Sequence, residues 1–327
     1  MYLVGDIGGT NTRLAWGEVQ GPQVKLSDIR NYSSTSYASL EEVLEVFLAE
    51  VRHPISGASF GVAGPIRDNR ATLTNLSWRL DGASLTSFLK VPRVRLLNDL
   101  EAQAYGIPAL TEEEVLVLNP GIPDEGHHVL IAAGTGLGEA LLIHTGRGHQ
   151  VIPTEGGHTD FAPRDELEVG LLSYLQQTLF GGVPGHVSYE RVVSGPGLLA
   201  IWRYLGHLGV EGDGATTREV EQRGGSAISE AAVAESCLRC LQAAELFLSI
   251  YGAEAGNLAL KTLPRGGVFV GGGIISSLLP VARQGAFMAG FTGKGRFASL
   301  MESLPVKVIL NTQVGLVGAT RVAAGEG

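Results

Sequence analysis

The chain has 327 residues, 44% of them hydrophobic and 17% charged, with a formal net charge of −9 and a pI near 5.4. That is enough apolar sequence for two domains or one large α/β unit, and the acidic balance argues against nucleic acid or an anionic membrane as a partner. No basic-then-apolar leader precedes the first core-like strand and no apolar run approaches a membrane span, so a cytoplasmic protein is expected.

Apolar runs at residues 2–4 and 14–19 flank the turn Gly5-Asp6-Ile7-Gly8-Gly9-Thr10-Asn11. This is a β-hairpin pattern whose glycines let the backbone approach a ligand and whose consecutive N–H groups form an anion-binding concavity. Asp6 reads either as a surface turn residue or as a carboxylate near Mg²⁺, because an acid beside a phosphate cradle is repulsive without a metal between. Ser39-Leu40-Glu41-Glu42 reads as a capping box opening a helix with apolar positions at Leu40, Val43, Leu44, Phe47, Leu48 and Val51. The run 58–63 reads as a strand. Gly57-Ala58-Ser59-Phe60-Gly61 within it matches a nucleophile elbow in letters only, since the apolar run continues through Val62 and Ala63 without turning into a helix.

A strand at 94–97 ends on Asn98-Asp99, where a helix carrying Leu100, Ala102 and Ala104 begins. Asp99 is either that helix's N-cap or a catalytic carboxylate at the carboxyl end of an α/β strand, placed to accept a hydroxyl proton in phosphoryl transfer. Loop-like stretches at 108–113 and 119–126 put a domain boundary near 110. A second hairpin follows, with strands at 129–133 and 140–143 around Gly134-Thr135-Gly136-Leu137-Gly138. Two glycine and threonine turns suggest two jaws on a polyphosphate, and hence a nucleotide-dependent phosphotransferase. Neither a P-loop nor a Rossmann fingerprint is present: Gly293-Lys294-Gly295 lacks the hydroxyl residue, and the glycines after the first strand have the wrong spacing.

Glu155-Gly156-Gly157-His158-Thr159-Asp160-Phe161-Ala162-Pro163 packs polar groups between glycines. Glu155 and His158 suit sugar hydroxyls, with a zinc site or a solvated loop as the competing readings. Helices follow from Asp165, carrying Leu171, Leu172, Leu175 and Leu179, and over 196–205. Cys237 and Cys240 fall in a helical pattern running from Ile228 to Tyr251, and read as structural thiols rather than a redox pair or half a zinc site. A strand at 268–270 runs into Gly271-Gly272-Gly273 and a helix beginning near Ser276. Those glycines read as an adenosine site or as close strand–helix packing. A last strand at 305–310 and helix at 314–324 could pack on either domain.

In order along the chain, Asp6-Ile7-Gly8-Gly9-Thr10-Asn11, Leu97-Asn98-Asp99, Gly134-Thr135-Gly136-Leu137-Gly138, the segment from Glu155 to Pro163 and Ser188-Tyr189-Glu190-Arg191-Val192-Val193-Ser194-Gly195 resemble the bacterial glucokinases. These belong to the hexokinase–actin–Hsp70 superfamily, outside the ROK group. The turns are superfamily-wide, whereas the Glu155–Pro163 and Glu190–Gly195 segments are much more specific. The resemblance implies two ribonuclease-H-like (actin/hexokinase-type) α/β domains, with mixed sheets flanked by helices and ATP in an interdomain cleft. The smaller domain would be 1–109 plus about 303–327, the larger 110–302. It implies Mg²⁺-dependent phosphorylation of glucose at the 6-hydroxyl with Asp99 as base. Asn98, Glu155, His158 and Glu190 would hold the other hydroxyls. Gly5, Asp6, Ile7, Gly8, Gly9, Thr10 and Asn11, with Gly134, Thr135, Gly136 and Gly138, would clamp the phosphates, Gly272 and Gly273 would meet the adenosine, and Asp6 would lie near the metal. A homodimer is usual for the family. A kinase for another hexose, such as mannose, fructose or glucosamine, or a non-catalytic sugar sensor are the rival readings. ROK kinases carry a Cys-rich zinc motif after the sugar-binding histidine; here no Cys follows His158 until Cys237, so no structural zinc is expected.

Overall fold

The computed structural model describes residues 1–73, 76–146 and 148–326. In chain order it runs β1 (Tyr2–Ile7), β2 (Asn11–Gln20), β3 (Gln23–Ser33), α1 (Leu40–Glu50), β4 (Gly57–Val62), β5 (Arg70–Thr72), β6 (Arg79–Asp81), α2 (Gly82–Leu89), β7 (Val94–Asn98) and α3 (Asp99–Gly106). There follow β8 (Val115–Asn119), β9 (His128–Ala133), β10 (Leu137–His144), β11 (His149–Thr154), α4 (Glu166–Phe180), α5 (Gly195–His207), α6 (Gly214–Arg223) and α7 (Gly225–Val233). The last elements are α8 (Leu238–Thr262), β12 (Gly267–Gly271), α9 (Gly273–Ser277), α10 (Leu279–Ala282), α11 (Ala286–Thr292), α12 (Ala298–Ser303), β13 (Val306–Ile309) and α13 (Val314–Ala323).

The chain divides into two compact units. Unit 1 comprises Met1–Val115, Thr145–Pro153 and Asn311–Gly327; unit 2 comprises Leu116–His144 and Thr154–Leu310. These bounds differ from the expected ones chiefly in two places: Thr145–Pro153, expected in the larger domain, falls in unit 1, and the C-terminal stretch from about 303, expected whole in the first domain, joins it only from Asn311. The reason for the second is pairing: β13 lies parallel to β12, with Val306 opposite Val268 and Val308 opposite Val270, so only the segment after it returns to unit 1.

Unit 1 is built on a mixed sheet of order β3-β2-β1-β4-β7. The first hairpin is antiparallel, and β4 and β7 add in parallel. A strand covered on both faces is apolar where it is buried, and β1 meets this with Leu3, Val4 and Ile7, leaving Asp6 near its carboxyl end exposed. Leu3, Ile7, Leu14 and Trp16 pack with Leu40, Val43, Leu44 and Phe47 of α1, while Val4 and Ala15 pack with Leu316 and Ala319 of α13. Ser39 caps α1 by accepting from the Glu42 N–H, but the Glu42 carboxylate reaches the Ala38 N–H rather than Ser39 itself. Ser59 is a buried residue of β4, as the uninterrupted apolar run indicates.

Unit 2 repeats the pattern. The β9–β10 hairpin is antiparallel and β12 joins β9 in parallel, giving β10-β9-β12-β13-β8 along the sheet. The 25-residue α8 is almost wholly buried in its second half, and its Tyr251 hydroxyl donates toward the Ile131 and Gly271 carbonyls while accepting from the Ala133 N–H. One phenol thus ties the carboxyl ends of β9 and β12 together. The helix expected without a break from Ile228 to Tyr251 is two helices: Glu235 takes φ +51, and Cys237 caps α8 with its sulfur accepting from the Cys240 N–H at 3.4 Å. Both thiols are buried. The helix expected near Ser276 begins at Gly273. Among the described residues no helix is long and apolar enough to cross a membrane.

Two helices of unit 1, α3 and α13, touch backbone to backbone. A Cβ on Gly318 would stand 1.8 Å from the Ala102 carbonyl oxygen and 2.6 Å from the Gly106 nitrogen, whereas one on Gly315 would meet only the Gln103 Cγ at 3.7 Å. Gly318→Ala should therefore lower the unfolding free energy by about 1–3 kcal/mol through overpacking, and Gly315→Ala should leave it unchanged or higher. Denaturant unfolding of both variants checks this; equal effects would mean that the helices do not depend on this approach.

Candidate active site

In unit 1 the carboxyl ends of parallel β1, β4 and β7 form one edge of the sheet. Register places Asp6 opposite Gly61 and Gly61 opposite Leu97, so Asp6 and the Asn98–Asp99 pair share that edge. Asn98, not Asp99, is the N-cap of α3: its Oδ1 accepts from the Leu100 N–H at 2.9 Å, its Nδ2 donates to the Gly64 carbonyl at 3.2 Å, and Glu101 accepts from its N–H at 3.3 Å. Asp99 is thus free of the capping role. It stands half-buried as the first helical residue and accepts from the Leu100 N–H at 2.9 Å.

Burial pushes the Asp99 carboxyl above the usual range, against the opposing hydrogen bonds from the Leu100 and Asp99 N–H groups and from Asn98. The Asp6 carboxyl is also raised, first by the protein around it and then by the charge of Asp99, with Arg13 pulling the other way. Asp6 remains accessible to solvent although crowded. Of the two, Asp6 therefore feels the charge of its neighbour, while Asp99 is raised by burial alone.

The first turn is held by its own backbone and by one serine. The Gly8 N–H donates to the Asn11 carbonyl at 2.9 Å, and the Ser34 N–H to the Thr10 carbonyl at 2.9 Å. Ser34 Oγ donates to the Gly8 carbonyl at 2.8 Å and lies 2.9 Å from Thr12 Oγ1. Gly9 is half-buried, and Thr10 and Asn11 are exposed. Gly5 and Ile7 are buried within β1, and the Ile7 side chain belongs to the core, so these two have only backbone to offer a ligand.

In unit 2 three segments meet. The second turn closes with the Gly134 N–H on the Gly136 carbonyl at 2.8 Å, and the Gly195 N–H donates to the Gly134 carbonyl at 2.9 Å. Glu190 accepts from the Leu137 N–H at 3.0 Å, so one of its carboxylate oxygens is engaged with this turn. Thr135 is exposed and Gly138 half-buried. The turn Gly156–His158 lies directly on β10: a Cβ on Gly157 would stand 2.0 Å from the Leu137 carbonyl oxygen. That close approach is why two glycines separate Glu155 from His158, both of which are exposed and 3.9 Å apart. His186 braces the turn from behind, 2.9 Å from the His158 carbonyl and 2.8 Å from Asp160. At the third glycine cluster, Gly272 takes φ +93, and a Cβ there would meet the Ala133 carbonyl oxygen at 2.0 Å; Gly273, which opens α9, has nothing within 4 Å of such a position.

The structure therefore groups Asp6, Asn98 and Asp99 with the first turn in unit 1. It groups Glu155, His158 and Glu190 with the second turn in unit 2. Sequence reasoning did not reach Ser34, Tyr251 or the buried pair Glu139 and Glu254. For the two glutamates a signal exists: each interrupts a run of small or apolar residues, Leu137–Ile143 and Tyr251–Gly256. No cluster of three His, Cys, Asp or Glu side chains suited to a metal occurs among the described residues.

Residues 3–326 match the family model described as Glucokinase. A glucokinase from Synechocystis sp. is 42% identical, over 99% of this chain and 98% of its own length. Among solved structures, a glucokinase from an Antarctic psychrotroph superposes with TM-score 0.87 at 28% identity, over 99% of this chain and 98% of that one. The glucokinase of Balamuthia mandrillaris, solved with glucose, superposes with TM-score 0.82 at 24% identity over 99% of this chain and 93% of that one, a likeness of fold.

Ser34→Ala removes two hydrogen bonds of the first turn, one of them buried. It should lower stability by about 1–2 kcal/mol and speed amide exchange at Gly8. Hydrogen exchange of the variant decides; unchanged protection at Gly8 would mean that the turn is held without Ser34.

Proposed function

The chain belongs to the glucokinase family, and we propose that Asp99 is the base of its reaction, taking the proton from the glucose 6-hydroxyl as that oxygen attacks the γ-phosphoryl group of ATP. The activity itself is ATP-dependent phosphorylation of D-glucose. The observation that carries the residue assignment is the state of Asp99. It is half-buried, relieved of capping by Asn98, and raised in proton affinity by burial. A carboxylate in that state is a stronger base than one in water and a fixed one, which phosphoryl transfer to an alcohol requires. Its raised pKa also sets the sign of the acid limb: turnover falls as pH drops through that value, because the protonated form cannot accept the hydroxyl proton.

Asn98 lies at the same edge, and its side-chain amide, which donates to Gly64, could turn toward a sugar oxygen. Glu155 and His158 present an acceptor and a donor–acceptor from one turn, and Glu190 has a carboxylate oxygen beyond the one on Leu137. Each such contact rejects a sugar with a misplaced hydroxyl, since a buried polar group without its partner is costly. The backbone N–H groups of Gly8–Asn11 and Gly134–Gly138 suit phosphate oxygens, and the open Gly272–Gly273 approach suits the adenosine. A hard divalent ion fits the acidic edge, because Mg²⁺ takes one or two carboxylates together with phosphate oxygens and water. Asp6 would hold it, and it would neutralise phosphate charge. A cytoplasmic homodimer belongs to the same reading and is carried over from the family alone.

The test is ADP release from ATP with and without Mg²⁺ across glucose, mannose, fructose, glucosamine and no sugar. Strong turnover on glucose, abolished by chelation, is expected. Turnover on another hexose alone would keep the chemistry and change the substrate. Binding without turnover on any sugar would contradict catalysis and favour a sensor.

A further inference from the structure

Beneath the Gly156–His158 turn lies a buried acid pair that the reaction does not use. Glu139 of β10 is 2% exposed and Glu254 of α8 is 1% exposed. The two carboxyls lie close enough that the charge of Glu254 raises the proton affinity of Glu139. The turn rests on the first of them: a Cβ on Gly156 would stand 2.0 Å from Glu139 Oε2, so the carboxyl lies flat against the Gly156 backbone. Thr154 reinforces the attachment, its hydroxyl donating to the Glu139 carbonyl at 2.9 Å and accepting from the Gly156 N–H at 3.1 Å. On the far side Glu254 accepts from Asn257 Nδ2 at 2.8 Å. Asn257 Nδ2 also reaches the Tyr189 hydroxyl at 3.0 Å, and Asn257 Oδ1 accepts from Lys294 Nζ at 2.6 Å. The Oε1 atom of each glutamate has no hydrogen-bond partner among the described residues.

We propose that Glu139 and Glu254 are a positioning pair for sugar binding, in which one shared proton keeps the Glu139 carboxyl packed under Gly156 and so fixes the turn that carries Glu155 and His158. The proposal rests on the reading of that turn as the sugar-hydroxyl site. Two unshared negative charges in this volume would repel each other strongly at low dielectric, so the pair is stable with a single proton. Burial raises the proton affinity of Glu254 too, but the Asn257 amide, the Tyr189 hydroxyl and the ammonium groups of Lys261 and Lys294 all oppose it, whereas Lys261 alone opposes it at Glu139, so the shared proton favours Glu139. Burial first, then the charge of Glu254, pushes the Glu139 carboxyl up to about 8, with Lys261 opposing.

The groups facing the pair are Tyr251, Glu254 and Lys261 on α8, Tyr189 ahead of α5, and Lys294 after α11. Tyr189 is pushed up to about 12, and Tyr251 is raised as well. Lys294 is lowered by burial and by Arg164, with Glu254 and Glu168 opposing. Once Glu139 ionises, it drives its carboxylate away from Glu254, and the space it leaves or takes lies against Gly156. The sign follows: sugar affinity is full below the Glu139 value and falls as pH rises through it.

Glucose binding to the whole protein, without nucleotide, is measured by calorimetry between about pH 7 and about pH 9. Wild type should lose about tenfold in affinity across that range, a factor of ten per pH unit beyond the transition, while affinity for Mg-ATP stays level. Glu139→Gln keeps the shape and donates to Glu254 at every pH, so it should match wild type at neutral pH and bind glucose without that slope. A flat wild-type profile, or the same slope in Glu139→Gln, where Lys294 still titrates, would overturn the proposal. Infrared spectra of wild type add a reading that needs no variant. A protonated-carboxyl band present at neutral pH and lost over the same range is expected; its absence at neutral pH would overturn the shared proton. No glucose binding at any pH, with that band titrating as expected, would overturn the sugar-turn reading and the positioning role with it, leaving the acid pair itself intact.

Discussion

Crowding of two carboxylates, Asp6 and Asp99, by the protein at one sheet edge is the constraint around which unit 1 is arranged. Parallel pairing of β1, β4 and β7 brings both carboxylates to one sheet edge with a single strand between them, about 10 Å apart along the hydrogen-bonding direction at the usual strand spacing. Arg13 offsets Asp6, and the N-terminal dipole of α3 offsets Asp99 in part. What keeps them there is the scaffold behind. Asn98 caps α3 on one side, and the backbone contact of Gly318 with Ala102 fixes α3 to α13 on the other. The arrangement costs stability and leaves two carboxyls of raised proton affinity at that edge.

Unit 2 solves a different problem, which is to present backbone N–H groups and two polar side chains without letting the loops collapse. It does so from beneath, with buried polar groups. Tyr251 ties β9 to β12 at the foot of the second turn and of the Gly271–Gly273 segment. Glu190 holds Leu137, and the Glu139–Glu254 pair underlies Gly156. Groups of this kind are expensive to bury unless satisfied, and the unpartnered oxygens of the acid pair mark where the cost is concentrated.

Much of this was legible in the sequence because it is local. The two hairpins and the turn Glu155–His158 announce themselves by glycines, and the strand ending at Asn98-Asp99 by an apolar run closed by two polar residues; all fall where expected. The break before Cys237 was not legible, since the apolar spacing from Ile228 to Tyr251 carries straight through it and a single positive φ at Glu235 makes the interruption. The stretch from about 303 was placed with the first domain because the pairing of β13 with β12 is a long-range choice that the local sequence does not show. Ser34 was invisible for the same reason: it acts on Gly8 from the far end of β3. Glu139 and Glu254 come together only when β10 and α8 pack, although each stands out as an acid in apolar surroundings.

The central claim, that Asp99 is the base, is tested most directly by comparing turnover and glucose affinity in Asp99→Asn. Asparagine keeps the size and the start of α3. Turnover should fall by about 10²–10⁴-fold, with glucose binding nearly unchanged. A variant that turns over near the wild-type rate would contradict the account, as would one whose loss is entirely in glucose affinity.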